Sequence, residues 1–536
     1  MMMNQAHVPS VGADAASLLQ QIAAGNELLR QGRTADAVAL GQKLVDAYPS
    51  SGRVRAFSAE ALRLSGDLAR ALLLIDEAIA LEPDAQYRIK KAWLLSRLLR
   101  RDEIPALAAE IAADFSGNGL VLWQLGKLYY HHNMLPEAIG MYEQALAVGG
   151  DNPAWRYDLG ITRFYSGRFE EAEVDLERVL SVSPQSGSVI YLRSTLRKQR
   201  PDNNHVADIQ ARLKRGFARP EDEAGAFYAL GKEFEDLGEH DKSIDALMAG
   251  ASKKRSSIQY DMSAFRTMMD EVRVAQSAKA LAQPVSGCED AGAIFIVGMP
   301  RTGTTLAERI LLQSGKVRNA GELLDFGFQL TAALGQVQKL EPSLSAAEAT
   351  MKVDFAALGR DYMRAARQMA GGSDVFIDKL PANYLYCGMI RKALPNARII
   401  HLVRDPLDSC YAVFKTLFFS AYDFSYDLQE LGDYYVLYRQ MMAHWHQAMP
   451  GAILDVNYED LVTDTEAQAR RIYAWCGLEW TDEALRMPDK EKVFATASAA
   501  QVRQPVHTRS IHSSRKHAER LAPLVERLTA AGIFKL

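Results

Sequence analysis

At 536 residues the chain is too long for a single hydrophobic core and is expected to divide into two or more domains. Its 48% hydrophobic and 24% charged residues are those of a folded protein. A net charge of −4 gives no global basic field, so neither a nucleic-acid nor a membrane partner is expected and any anion site must be local.

The N-terminal "MMMNQAHVPSVGADAAS" lacks a basic segment followed by an apolar one, and no run of about 18 uncharged apolar residues follows anywhere. Residues 1–15 are expected to be disordered. The four cysteines, Cys288, Cys387, Cys410 and Cys476, form no C-x-x-C pair and no metal-ligand spacing. They read as free thiols in a reducing compartment, which places the protein in the cytoplasm with no metal.

From residue 16 to about 270 the chain repeats itself. "LGKLYYHHNMLPEAIGMYEQAL" from Leu125 and "LGITRFYSGRFEEAEVDLERVL" from Leu159 are offset by 34 residues, the period of tetratricopeptide repeats. Gly126 and Gly160 hold the position where one helix of the pair must be thin, and Ala138 and Ala172 the position where the second approaches it. Gly25, Gly32, Ala37 and Pro49 fit the template upstream, as do Ala59, Gly66, Ala71, Ala78 and Pro83 one period on. A degenerate copy lies between Asp84 and Gly117, and a last one begins at Leu230 after a charged, irregular stretch. Such an array is an all-α solenoid with a concave groove, a surface for binding rather than chemistry.

A linker is expected at 271–290, and from 291 to 536 short apolar runs alternate with helical stretches. "AIFIVG" (293–298), "DVFID" (374–378), "ARIIHLV" (397–403) and "AILDVNY" (452–458) suit strands of a parallel sheet covered on both faces. Ligands of such sheets bind beyond the C-terminal ends of the strands. There stands "GMPRTGTT", in which Gly298, Gly303 and Thr305 match a nucleotide-binding P-loop while Thr304 replaces its lysine and Arg301 lies inside the loop. A phosphosulfate carries less charge than a triphosphate, so arginine, hydroxyls and backbone amides suffice without a metal. "ARIIHLVRDP" likewise puts Arg404 where a magnesium-binding acid is expected, with Asp405 next to it. The stretch 414–435, rich in Phe and Tyr, is either the wall of an acceptor cleft or the core face of two helices.

Four segments in order carry a resemblance. "PRTGTTL" (300–306) resembles the 5′-phosphosulfate loop of sulfotransferases that use 3′-phosphoadenosine 5′-phosphosulfate (PAPS), and "IIHLVRDPLDSCYAV" (399–413) their 3′-phosphate segment. "VNYEDLV" (456–462) and "ASAAQVRQPV" (497–506) are similar to later segments. Over its whole length the chain resembles bacterial sulfotransferases with N-terminal tetratricopeptide repeats and, next, the protein-tyrosine sulfotransferases. The resemblance implies a P-loop-like α/β domain with a central parallel sheet, in which Arg301, Thr302, Gly303, Thr304 and Thr305 hold the 5′-phosphosulfate and Arg404 the 3′-phosphate. The serine usual eight residues after that arginine is Ala412 here, so Ser409, one turn earlier, takes its place. Tyr458 becomes an adenine-side contact, and Ser498, Gln501 and Arg503 belong to a loop over the nucleotide. Arg515 and Lys516, in a segment without the family's tryptophan, are further ligands.

For catalysis the resemblance assigns Lys379, in "IDKLPANY", to the leaving phosphate, together with Arg301. No histidine follows Lys379, so the base is Glu322, at the place of the glutamate in the protein-tyrosine enzymes. The implied reaction moves a sulfuryl group from PAPS, the co-substrate, to an acceptor hydroxyl. A peptide tyrosine, a saccharide and a small metabolite all stay open as acceptors, as do a protein partner for the repeat groove and a homodimer. Two other readings stand beside it: a P-loop kinase or NTPase, and a repeat scaffold whose nucleotide-binding domain is catalytically impaired.

Overall fold

The computed structural model describes residues 11–419, 421–486 and 506–535. Residues 1–10, and with them most of the N-terminal stretch, lie outside the described residues, as do Ser498, Gln501 and Arg503. The chain divides into two compact units, residues up to 132 with 140–150, and 133–139 with 151–536.

The repeat region is helical throughout: α1 (Val11–Arg30), α2 (Thr34–Ala47), α3 (Gly52–Ser65), α4 (Leu68–Leu81), α5 (Ala85–Arg97), α6 (Ile104–Asp114), α7 (Gly119–His131), α8 (Leu135–Gly149), α9 (Pro153–Ser166), α10 (Phe169–Val182), α11 (Gly187–Thr195), α12 (Val206–Arg215), α13 (Pro220–Asp236) and α14 (His240–Ser256). Local sequence marks the ends. Asn152 Oδ1 accepts from the amides of Ala154 and Trp155, Pro153 opens α9, and Gly167 in the left-handed conformation (φ 81°) closes it. At Gly126 of α7 a Cβ would stand 2.5 Å from the ring of Tyr142 of α8, which is why the repeat needs glycine there. The charged stretch expected to be irregular contains α12, and 271–290 carries the end of α15 (Met262–Ala275) and α16 (Ala278–Leu281).

The second unit continues into a sheet of five parallel strands, β1 (Ala293–Gly298), β2 (Arg318–Gly321), β3 (Phe376–Asp378), β4 (Arg398–Val403) and β5 (Ile453–Asn457), in the order β2-β3-β1-β4-β5. Between and after them run α17 (Thr304–Leu312), α18 (Asp325–Leu340), α19 (Ala346–Thr350), α20 (Phe355–Met369), α21 (Cys387–Ala393), α22 (Pro406–Phe414), α23 (Leu428–Ala448), α24 (Tyr458–Thr463), α25 (Thr465–Cys476) and α26 (Ala522–Ala530). All six residues of β1 are buried, as a central strand covered on both faces requires. Ile294 and Ile296 belong to a cluster with Ala307 and Ile310 of α17 and Ile472 of α25. The alternate residues Phe295 and Val297 belong to another, with Tyr362 of α20, Ile390 of α21 and Trp445 of α23.

That second cluster also includes Tyr228 of α13 and Ile244 and Leu247 of α14, so the last repeat helices and the sheet share one core. Phe424, Tyr426, Tyr434 and Tyr435 are buried in it too, so these aromatics of the 414–435 stretch are core. Phe424 stacks on Tyr434 with the rings 10° from parallel. Among the described residues no helix is long and apolar enough to cross a membrane.

Candidate active site

Strand order places β1 between β3 and β4, and the loops leaving these three strands meet at the C-terminal edge of the sheet. The loop after β1 turns through Arg301 (φ 67°) and Gly303 (φ 97°) before α17 begins at Thr304. Thr302 Oγ1 donates to the Met299 carbonyl at 2.7 Å, so this hydroxyl braces the loop from within. A Cβ at Gly303 would stand 2.5 Å from the Tyr458 ring, which lies directly against the glycine. Thr304 and Thr305 are the first two residues of α17 and are buried, at the helix end whose free amides and dipole favour an anion.

Arg404 leaves β4 beside this loop, 8% exposed. Its Nη1 donates to the Arg301 carbonyl at 3.0 Å, its Nη2 to the Ser510 carbonyl at 2.9 Å, and its guanidinium lies 4.7 Å over the Tyr458 ring; its Nε is buried without a partner. Burial pushes the Arg301 guanidinium below its ordinary value, with Arg404 adding to the push and Tyr191, Tyr458 and Glu235 opposing it. Two cations therefore stand close together at a helix N-terminus. In the same loop Asp405 Oδ1 caps α22 by accepting from the amides of Leu407 and Asp408. The buried Ser409 Oγ has no partner.

The C-terminal segment closes on the same place by residues the sequence reading did not single out. Tyr458 Oη and Ser510 Oγ are 2.7 Å apart, and the buried Asp408 accepts from the amide and hydroxyl of Ser514 at 2.9 and 2.6 Å and from the His512 amide. Arg515 and Lys516 are exposed, Lys516 Nζ lying 3.1 Å from a ring nitrogen of His240. Ser510 thus meets Arg404, and His512 and Ser514 meet Asp408 of α22.

On the other side of β1, Lys379 follows the last residue of β3, is 2% exposed, and its ammonium is bonded to Glu322 Oε1. Burial alone would push Lys379 down, but the carboxylates of Glu322 and Glu308 outweigh it and hold its pKa above the ordinary value. The pair is fixed from below by Asp378, wholly buried, which accepts from Tyr362 Oη at 2.7 Å, Asn383 Nδ2 at 3.1 Å and the Leu323 amide at 3.3 Å. Burial pushes Asp378 up to about 7. An acid closing an apolar run in "DVFIDK" is the signal that marks it.

Repeat helices supply a further set that no local pattern announces. Tyr191 of α11 accepts from the Leu417 amide at 3.2 Å, Tyr228 of α13 donates to the Phe414 carbonyl at 3.1 Å, and Glu235 of α13 pairs with Lys415 at 2.7 Å. Tyr191 and Glu235 also reach Arg301 electrostatically. Burial pushes the phenols of Tyr165 of α9, up to about 12, and of Tyr422 upward, and the Glu322 carboxylate adds to both.

Two further groups bring three donors within 4.8 Å of one another: His401, His446 and Asp455, and Asp405, Asp408 and His512. In the first, Asp455 Oδ1 lies 2.8 Å from His401 Nδ1 and 3.0 Å from His446 Nε2. In the second, both carboxylates hold backbone amides.

Residues 293–482 match the model of the sulfotransferase family, and residues 28–94 and 123–186 match tetratricopeptide-repeat models. A protein of Aquifex aeolicus (strain VF5), described as uncharacterized, is 25% identical over 94% of this chain and 68% of its own. Among solved structures, the sulfotransferase domain of the Synechococcus PCC 7002 olefin synthase is 17% identical, with 47% of this chain and 98% of that one covered and a TM-score of 0.34. A thermophilic TPR protein of Thermus thermophilus is 17% identical, with 33% and 98% covered and a TM-score of 0.28. The chain joins a tetratricopeptide-repeat region to a sulfotransferase-like α/β domain with a central parallel sheet.

Proposed function

We propose that the protein transfers a sulfuryl group from PAPS to an acceptor hydroxyl. The observation that carries this reading is the convergence of Arg301, Arg404 and the N-terminus of α17 on a P-loop without its lysine, one strand away from a bonded Lys379–Glu322 pair. Orphaned polar atoms fit a nucleotide with two anionic groups: Arg404 Nε and Ser409 Oγ are buried without partners beside the loop. Backbone carbonyls orient the Arg404 guanidinium but do not neutralise it, which an anion would do. PAPS supplies the activated sulfuryl group.

The chain's own residues supply the rest. Arg301, the α17 amides, Thr304 and Thr305 hold the phosphosulfate end, Arg404 the 3′-phosphate, and the Tyr458 ring packs beside the nucleotide. Glu322 accepts the acceptor's proton, and Lys379 keeps its positive charge where negative charge grows on the leaving oxygen. Tyr165 and Tyr422 share the field of Glu322. The kinase reading would ask for a magnesium-binding acid after β4, and Asp405 is occupied as the cap of α22. The experiment is a calorimetric comparison of adenosine 3′,5′-bisphosphate with ATP, each with and without Mg²⁺. Tight, metal-independent binding of the bisphosphate is expected; preference for Mg²⁺·ATP would overturn the reading.

A further inference from the structure

One turn beyond Thr304 and Thr305, α17 carries a carboxyl with no part in that chemistry. Glu308 is 1% exposed and its Oε2 is buried without a hydrogen-bond partner. An enclosed carboxylate costs free energy unless a cation or hydrogen bonds compensate it. The charged groups that reach it are Lys379 at the end of β3 and Glu322 after β2. β1 and α25, which also pack on α17, bring the apolar Ile294, Ile296 and Ile472, and the Tyr473 hydroxyl donates to the Ile310 carbonyl. One ammonium thus lies in the field of two carboxylates and is bonded to Glu322.

The inference rests on the sulfuryl-transfer reading, in which Glu322 must take the acceptor's proton although its Oε1 is engaged by Lys379. We propose that Glu308 is a positioning residue that receives the Lys379 ammonium when Glu322 turns to the acceptor, so that Glu322 is released as a base while Lys379 stays beside the phosphate loop. The protons balance: the acceptor's proton passes to Glu322, Lys379 keeps all three of its own, and Glu308 is a carboxylate in the working form. Burial pushes Glu308 up to about 7, with Lys379 opposing and Glu322 adding to the rise. Protonated Glu308 cannot receive Lys379, so turnover is expected to rise as pH passes through about 7.

The same raised pKa gives a readout that needs no turnover. A carboxyl whose folded pKa lies above its unfolded value contributes stability that is present below the unfolded value and lost as pH rises through the folded one. The wild-type melting temperature should therefore fall relative to that of Glu308→Gln as pH is raised from about 5 to about 8.5. In the full chain, Glu308→Gln should slow PAPS consumption by roughly tenfold or more and abolish its step near the pKa of Glu308. The Kd for adenosine 3′,5′-bisphosphate should change by less than about threefold, and Glu308→Asp should restore part of the step. A wild-type rate with no such step, or a folded Glu308→Gln protein with the wild-type rate and profile, would overturn the proposal. If Glu308→Gln fails to fold, Glu308→Asp decides: a step displaced from its wild-type position is expected, and a rate and profile identical to wild type would overturn the proposal. Wild-type protein that neither binds the bisphosphate nor consumes PAPS would overturn the sulfuryl-transfer reading and this proposal together. Binding and turnover indifferent to Glu308 would overturn this proposal alone.

Discussion

Arg404 is oriented by two backbone oxygens and the face of one aromatic ring, none of which carries a formal charge. A charge-assisted bond to a 3′-phosphate contributes about 1.5–3 kcal/mol. Arg404→Ala should therefore weaken adenosine 3′,5′-bisphosphate by roughly 10- to 100-fold while changing adenosine 5′-phosphate little, as calorimetry on both nucleotides would show. Equal losses would make Arg404 a brace for Ser510 and the loop rather than a ligand. A substitution at Glu322 tests whether binding and chemistry separate. Glu322→Gln keeps the side chain's shape and removes its basicity, so PAPS-dependent transfer should slow by roughly 10²- to 10⁴-fold with the bisphosphate Kd little changed; near-normal transfer by the folded variant would exclude Glu322 as the base.

At the scale of elements, what the sequence reveals depends on how local its cause is. The repeat helices are legible because thin positions such as Gly126 recur at a fixed period, and β1, β3, β4 and β5 because each is an apolar run closed by turn residues. β2 is not: "RNAG" is four residues at the sheet edge, with no β-branched side chain to mark it. In α17 the charged pair Glu308-Arg309 carries no local sign of burial, yet both are buried, because β1, β2 and α25 pack on the helix. Arg301 and Arg404 stand out locally as charges at strand ends. Tyr191 and Glu235 do not, since what gives them a part is contact with residues far along the chain.

For the molecule as a whole, the change from helices to strands falls at β1, but the compact unit that holds the sheet begins near residue 151. A fragment starting at 151 keeps Tyr191, Tyr228 and Glu235 and the shared core of α13 and α14. It should be soluble, melt cooperatively and bind adenosine 3′,5′-bisphosphate as the full chain does. A fragment starting at 285 loses the partners of Leu417, Phe414 and Lys415 and exposes apolar core, so it should aggregate or bind the nucleotide markedly more weakly. Light scattering and calorimetry on the two fragments would check this, and equal behaviour would show that the repeats do not shape the site.

The carbonyl that steadies Arg404 belongs to Ser510, and the group that anchors that segment, Asp408, was laid down about a hundred residues earlier. During synthesis Arg301, Glu322, Lys379 and Arg404 all leave the ribosome before Ser510 and Ser514. A nascent chain that has not reached Ser510 lacks the carbonyl that Arg404 Nη2 binds in the folded protein. The setting of Arg404 is thus completed only when Ser510 and Ser514 dock.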